Sequence, residues 1–234
     1  MLHGLSSEGF GIRLRPVCLE DAPFIVWLRN LDHVIGRVGD SAADVAGQEA
    51  WLEKYFEREG DYYFIAETLG GVPLGTFGIY DVSGTSGESG RYIMRPEVVA
   101  GVSSSVLALD LAFGQLGLTE LRSTSVSTNL KVHSLHRKTG FKQIGIARSA
   151  QIINGEPVDL LQFLLTAQDW LQARDRQLPL AQYAEAQVAE WEQANQCRRS
   201  QCMSVGSAMT YKCSTCWRCS SSEVTSRLLV AEQR

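Results

Sequence analysis

The spacing of apolar residues changes several times along the chain, and the changes divide it into strand-like and helix-like segments. Gly11 to Val17 sets Ile12, Leu14 and Pro16 against Arg13 and Arg15, the two-residue period of a half-buried strand that proline stops. Glu20, Asp21 and Pro23 open a helix with acids in its first turn, and Phe24, Trp27, Leu28 and Leu31 share one side of it. The run Trp27-Leu28-Arg29-Asn30 ends that helix. Asp32 to Gly47 has weak periodicity and reads as a loop with a short helical turn. Gln48 to Glu59 then places Trp51, Leu52, Tyr55 and Phe56 at helical spacing among charges, which reads them as core residues.

Asp61 to Thr68 and Val72 to Val82 are β-rich runs joined at Gly70-Gly71, which predicts a hairpin. SGTSGESG reads as a polar turn, and Arg91 to Met94 as a third antiparallel strand. From Val102 the apolar residues recur with a helical period through Val106, Leu109, Phe113 and Leu116. Leu121 to Ser127 predicts a strand and Asn129 to Thr139 a helix, with Gly140 as its C-cap. Two more strands, Phe141 to Arg148 and Val158 to Leu165, meet at Asn154-Gly155. These segments define a domain over residues 8–170. Leu180, Ala184, Val188 and Trp191 predict a thinly apolar helical extension within 171–195, and the aperiodic residues 196–234 are expected to be disordered.

Composition narrows the function. A chain of 234 residues can bury a sizeable core and still carry an appendage. Its formal charge of −4 argues against a grip on nucleic acid or an anionic membrane surface, so the expected partner is a small molecule. No apolar run approaches the roughly 20 residues of a membrane span. The first residues lack the basic-then-apolar order of a signal peptide, and a cytoplasmic location is expected. Cys18 stands alone, while Cys197, Cys202, Cys213, Cys216 and Cys219 crowd the last stretch, outside any disulfide framework for the main domain. Their spacing lacks the two separated pairs of a structural zinc site and no histidine accompanies them, so no metal is expected.

Candidate chemistry concentrates between Gly90 and Phe141. A strand feeding a helix through a turn aims backbone N–H groups and the positive end of the helix dipole at one point, which suits a phosphate. Beyond the next strand come Asn129 and the helix carrying His133 and His136. His133 is expected to face solvent.

This order of elements, with Asn129 ahead of a helix that ends in Gly140-Phe141, resembles the GCN5-related N-acetyltransferase (GNAT) superfamily over residues 11 to 170. The resemblance implies an α/β (α+β) fold: a central mixed, mostly antiparallel sheet of about seven strands with a splayed central pair, and helices on both faces. It implies acetyl-CoA as acyl-donor cosubstrate. The backbone of Tyr92, Ile93 and Met94 would align the pantetheine arm, and Val98, Val99, Ala100, Gly101, Val102 and Ser103 would hold the pyrophosphate, with Asn129 near the cofactor. Ser103, Ser104 and Ser105 are candidate hydroxyl donors there, or simple caps.

The loop Arg95-Pro-Glu-Val98-Val-Ala100-Gly101 carries valine where the family's central glycine stands, so it would work through its backbone amides. His136 takes the place of a tyrosine that protonates the departing thiolate in many members, which makes it the candidate general acid. Its bland alternative is a partly exposed helix residue beside Arg137 and Lys138. Glu88 is a candidate base, or a solvated turn acid. Arg29, Asn30 and Tyr80 are candidate acceptor contacts, with helix capping the competing account of Arg29 and Asn30. Histidine in the His-x-x-x-Gly-Phe run, with Trp27-Leu28-Arg29-Asn30 and Gln48-x-x-Trp51, resembles the branch that acetylates amino groups on nucleotide-linked sugars. A ribosomal-type protein N-terminal acetyltransferase and a catalytically silent binding module are the alternatives, and the assembly is expected to be a monomer or homodimer.

Overall fold

The computed structural model describes residues 3–35, 44–153 and 155–204, with side chains through Asn195. The first two strands, β1 (Ser7–Gly9) and β2 (Ile12–Pro16), form a tight hairpin around Phe10 and Gly11, both in the left-handed region. Ile12 and Leu14 are wholly buried, as their alternation requires. Helix α1 (Ala22–Arg29) buries Phe24, Ile25 and Leu28. Helix α2 (Val45–Phe56) starts three residues ahead of its apolar pattern because the Asp44 carboxylate caps it, accepting the Gly47 N–H at 2.8 Å. Residues 36–43, in the middle of the expected loop, lie outside the described residues.

Strands β3 (Tyr62–Thr68) and β4 (Pro73–Ser83) make the expected hairpin. Strand β5 (Ser86–Met94) begins well before Arg91, so most of SGTSGESG is strand and not turn. Small residues there meet close packing instead of a change of direction. A Cβ on Gly90 would lie 2.5 Å from the Tyr80 hydroxyl, and one on Gly87 would lie 3.0 Å from Val82.

Helix α3 (Gly101–Asp110) runs into a wider turn at Leu111–Gln115, and β6 (Glu120–Val126) follows. Helix α4 (Leu130–Thr139) ends at Gly140, whose φ of 93° is the left-handed cap that glycine supplies. A long hairpin, β7 (Lys142–Ile153) and β8 (Glu156–Thr166), leads into α5 (Ala167–Ser204). Residues 171–195 belong to this one continuous helix, which passes through Pro179 and buries Trp170, Ala173, Ala181, Ala184 and Val188. Its contact face is largely alanine, which brings it close to α3 and makes its sequence look thinly apolar. Residues 205–234 lie outside the described residues, as do the side chains of 196–204.

The strands form one eight-stranded sheet in the order β1-β2-β3-β4-β5-β6-β8-β7, one more strand than the seven expected, the addition being short β1. Every neighbouring pair is antiparallel except β5 with β6. Helices α1 and α2 close a core with Val17, Tyr63, Ile65 and Ile93 on one face. Helices α3 and α5 cover the other, around Leu74, Leu121, Phe163 and Leu165.

Candidate active site

The parallel ladder between β5 and β6 is short. It pairs Ser86 with Glu120 through Ser89 with Ser123 and goes no further, so the strands separate beyond that point. Two hydroxyls mark the fork: Ser89 donates to the Arg122 carbonyl at 3.2 Å, and Ser123 to the Ser89 carbonyl at 3.1 Å. Past the fork, the β6-facing N–H and C=O groups of residues 90–94 have no neighbouring strand. Such an edge is where an extended amide-bearing ligand can add its own hydrogen bonds.

On its other side β5 carries a bulge. Thr76 pairs with Ile93 and Gly78 with Gly90, so Arg91 and Tyr92 together stand opposite Phe77. Arg91 takes φ of 51°, rare for a residue with a side chain, and its carbonyl accepts from Thr76 Oγ1 at 2.6 Å. Tyr92 donates its hydroxyl to the Gly101 carbonyl at 2.9 Å, which ties the strand to the start of α3.

A cavity of about 440 Å³ opens along this seam. Ser123, Thr124, Ser125 and Val126 of β6, with Asn129 and His136, form one wall. Arg29, Gln48, Trp51, Tyr63, Tyr80, Glu88 and Arg91 form the other. The cavity therefore gathers Glu88, Tyr92, Asn129, His136, Arg29 and Tyr80 from the sequence-based candidates. Asn30 does not line it: its amide donates to the Val26 carbonyl at 2.8 Å and closes α1. Trp51 is wall and not only core. Sequence reading also missed the β6 lining, because a run of serine and threonine in a strand carries no signal of its own, and missed Arg91, whose position depends on the bulge.

In the loop ahead of α3, Val98 is buried in the core, Val99 is exposed and Ala100 is buried. The first N–H groups of α3, at Gly101, Val102 and Ser103, belong to the turn that a helix leaves without internal partners. The serine hydroxyls bond within the fold, which favours the second of the two readings, local capping over ligand donation. Ser104 and Ser105 donate to the Gly101 carbonyl at 3.1 and 2.9 Å, and Ser103 donates to the Ala181 carbonyl of α5 at 3.4 Å. Ile93 is buried under α1 and α2, and Met94 packs on the opposite core, which leaves the backbone between them to face the seam.

Asn129 caps α4 while lining the cavity, its carbonyl oxygen accepting from Val132 N at 3.4 Å. His136 lies between Phe163 and Phe141, with ring centroids 4.5 and 4.6 Å away. Burial, and then neighbouring His133, push its pKa down to about 4, so the imidazole is neutral near pH 7 and holds no ready imidazolium. His133 is buried as well, against Phe163, which corrects the expectation of a solvent-facing residue. On the opposite wall the Tyr80 hydroxyl lies 3.5 Å from Glu88, and burial followed by that carboxylate drives its pKa up. Burial lowers the pKa of Arg29, and Arg91 adds to the effect.

No helix among the described residues is long and apolar enough to cross a membrane, and no cluster of metal-ligating side chains occurs among them. Comparison with curated proteins gives no match. Among solved structures, a GCN5-related N-acetyltransferase from Brucella melitensis superposes with a TM-score of 0.66 at 17% identity, covering 76% of this chain and 86% of that one. FdhC, a nucleotide-linked sugar GNAT solved in its apo form, gives 0.63 at 25% identity and covers 78% of this chain and 99% of its own. Spermidine N-acetyltransferase from Vibrio cholerae, in complex with CoA and spermine, gives 0.64 at 20% identity, covering 70% and 99%. Residues 12–142, more than half of the chain, match the family model for an acetyltransferase (GNAT) domain, so the chain belongs to the GNAT family of acetyl-CoA-dependent N-acetyltransferases.

Proposed function

We propose that this enzyme acetylates a primary amine on a nucleotide-linked amino sugar. The observation that carries the proposal is the two-walled cavity at the fork. One wall is the open edge of β5 with the β6 hydroxyl residues, and the other is a polar, aromatic acceptor wall. The likeness to a nucleotide-linked sugar GNAT at 25% identity over nearly all of that chain supports the sugar reading.

Acetyl-CoA supplies the activated acyl group. The N–H groups of residues 98–103 would take its pyrophosphate, and the open edge at residues 91–94 its pantetheine amides. A neutral amine attacks the thioester carbonyl directly, and a backbone N–H of the β5 bulge steadies the oxyanion. Net transfer moves one proton from nitrogen to sulfur. Glu88 receives it on the acceptor side. His136 enters the step as a neutral imidazole that donates an N–H hydrogen bond to sulfur. The ring keeps that proton, since losing it would leave an imidazolate far more basic than a thiolate; its hydrogen bond stabilises the departing thiolate, and the proton that Glu88 takes from nitrogen passes through solvent to sulfur.

The test is acetyl transfer from acetyl-CoA to a panel of amino-sugar nucleotides, the corresponding free amino sugars, spermidine and N-terminal peptides. Turnover should favour an amino-sugar nucleotide over the rest. Preference for a peptide or for spermidine overturns the proposal.

A further inference from the structure

The acceptor wall contains an aromatic box whose occupant is part of the protein. The Arg91 guanidinium carbon lies 4.7 Å from the Tyr80 ring centroid, 5.1 Å from Tyr63, 5.3 Å from Trp51 and 5.9 Å from Tyr55. Its two terminal nitrogens bind the two oxygens of buried Asp61 at 2.5 and 2.8 Å. Four ring faces within about 6 Å of one cation, with a carboxylate at the base, is the composition that recognises an alkylammonium ligand. The rings come from α2, β3 and β4, and Arg91 reaches them from the β5 bulge, where it accepts a left-handed backbone conformation. That conformation costs on its own, and an over-determined surrounding such as this box and ion pair is what lets it persist.

We infer that Arg91 is a specificity-determining plug: its side chain fills a cation-binding box and closes the acceptor wall to polyamines and other alkylammonium groups. The site then admits an acceptor whose reacting amine is its one basic group and whose remainder is neutral or anionic, with the Arg29 and Arg91 guanidiniums lining the same wall. This rests on the acyl-transfer reading for its consequence in catalysis, while the box itself can be tested by binding alone.

The experiment is calorimetric titration of the full chain and of Arg91→Ala with tetramethylammonium and with spermidine, with no acyl donor present. Arg91→Ala should bind tetramethylammonium at least about tenfold more tightly than the unsubstituted protein, because it uncovers the faces of Tyr80, Tyr63 and Tyr55 and frees Asp61 from its bidentate pair, leaving it only Arg58 at 3.7 Å, which also lies over Trp51. Arg91→Lys should leave the box shut. Should Arg91→Ala fail to fold, Arg91→Gly relieves the left-handed backbone and opens the same space. Equal affinities in the open and closed forms overturn the inference, as does tight spermidine binding by the unsubstituted protein. Neither result depends on which amine is acetylated, so this proposal and the sugar reading fail separately.

Discussion

At the scale of single residues, His136 joins the chemistry of the site to the stability of the fold. In the unfolded chain it protonates near its ordinary pKa of 6.5, whereas in the native protein burial and His133 hold it near 4. Between those values the unfolded state binds more protons than the native state. Native stability therefore falls as pH drops from 6.5 toward 4 and is independent of this group above 6.5. A displacement of this size corresponds to about 3 kcal/mol at most. His136→Phe should flatten the acid limb of a stability profile measured by urea unfolding at several pH values. It should also reduce turnover by about 10² or more with acetyl-CoA binding nearly intact. Undiminished turnover removes His136 from the reaction, and an unchanged acid limb removes it from the titration. The candidacy of His136 was legible from its place ahead of Gly140-Phe141. Its neutrality was not, because the second ring that buries it beside Phe141, Phe163, comes from a distant strand.

At the scale of elements, most boundaries follow directly from apolar period and end signals: Pro16 stopping β2, Gly140 capping α4, the glycine turn between β3 and β4. Two readings needed the third dimension. SGTSGESG contains the residues of a turn, yet their small size serves the packing of β4 on β5. The extension after residue 170 looked thin because alanine reports close helix contact only when the partner helix is known. Helix α5 reaches the loop ahead of α3 through its far end. Its Trp191 ring and Trp27 of α1 flank the guanidinium of buried Arg95, at 5.0 and 4.9 Å, where the loop leading to α3 begins. Arg174 meanwhile holds Asp110 at the other end of α3 with bonds of 2.7 and 2.8 Å. The loop is thus clamped from a helix that sequence reading placed outside the domain. Trp191→Ala should loosen the loop and raise KM for acetyl-CoA by about tenfold, since losing one partly buried cation–π partner is worth about 1–2 kcal/mol. The value of kcat should change little. Equal falls in kcat and kcat/KM at unchanged KM would instead tie α5 to the chemical step.

At the scale of the whole molecule, the sheet is two β-sheets' worth of antiparallel strands joined by a four-residue parallel seam. β1 to β5 form one wing and β6 to β8 the other, and the seam between Ser86 and Ser89 is the sole ladder linking them among the described residues. Helix α3 and the turn after it connect the wings in sequence, while α5 packs across the α3 face. The open part of the seam is therefore a property of topology. A strand pair that begins parallel and then separates leaves backbone groups that only water or a ligand can satisfy. Hydrogen exchange reads this directly. In the free protein, amides of Ser86 to Ser89 and of Glu120 to Ser123 should exchange slowly. The β6-facing amides of residues 90–94 should exchange faster by about 10² or more, because no strand covers them. Acetyl-CoA should slow that second group selectively if its amide-bearing arm occupies the seam. Strong protection of residues 90–94 without ligand would mean that the wings close on one another in solution. Protection gained instead at α4 or the β7–β8 hairpin would place the acyl donor away from the fork.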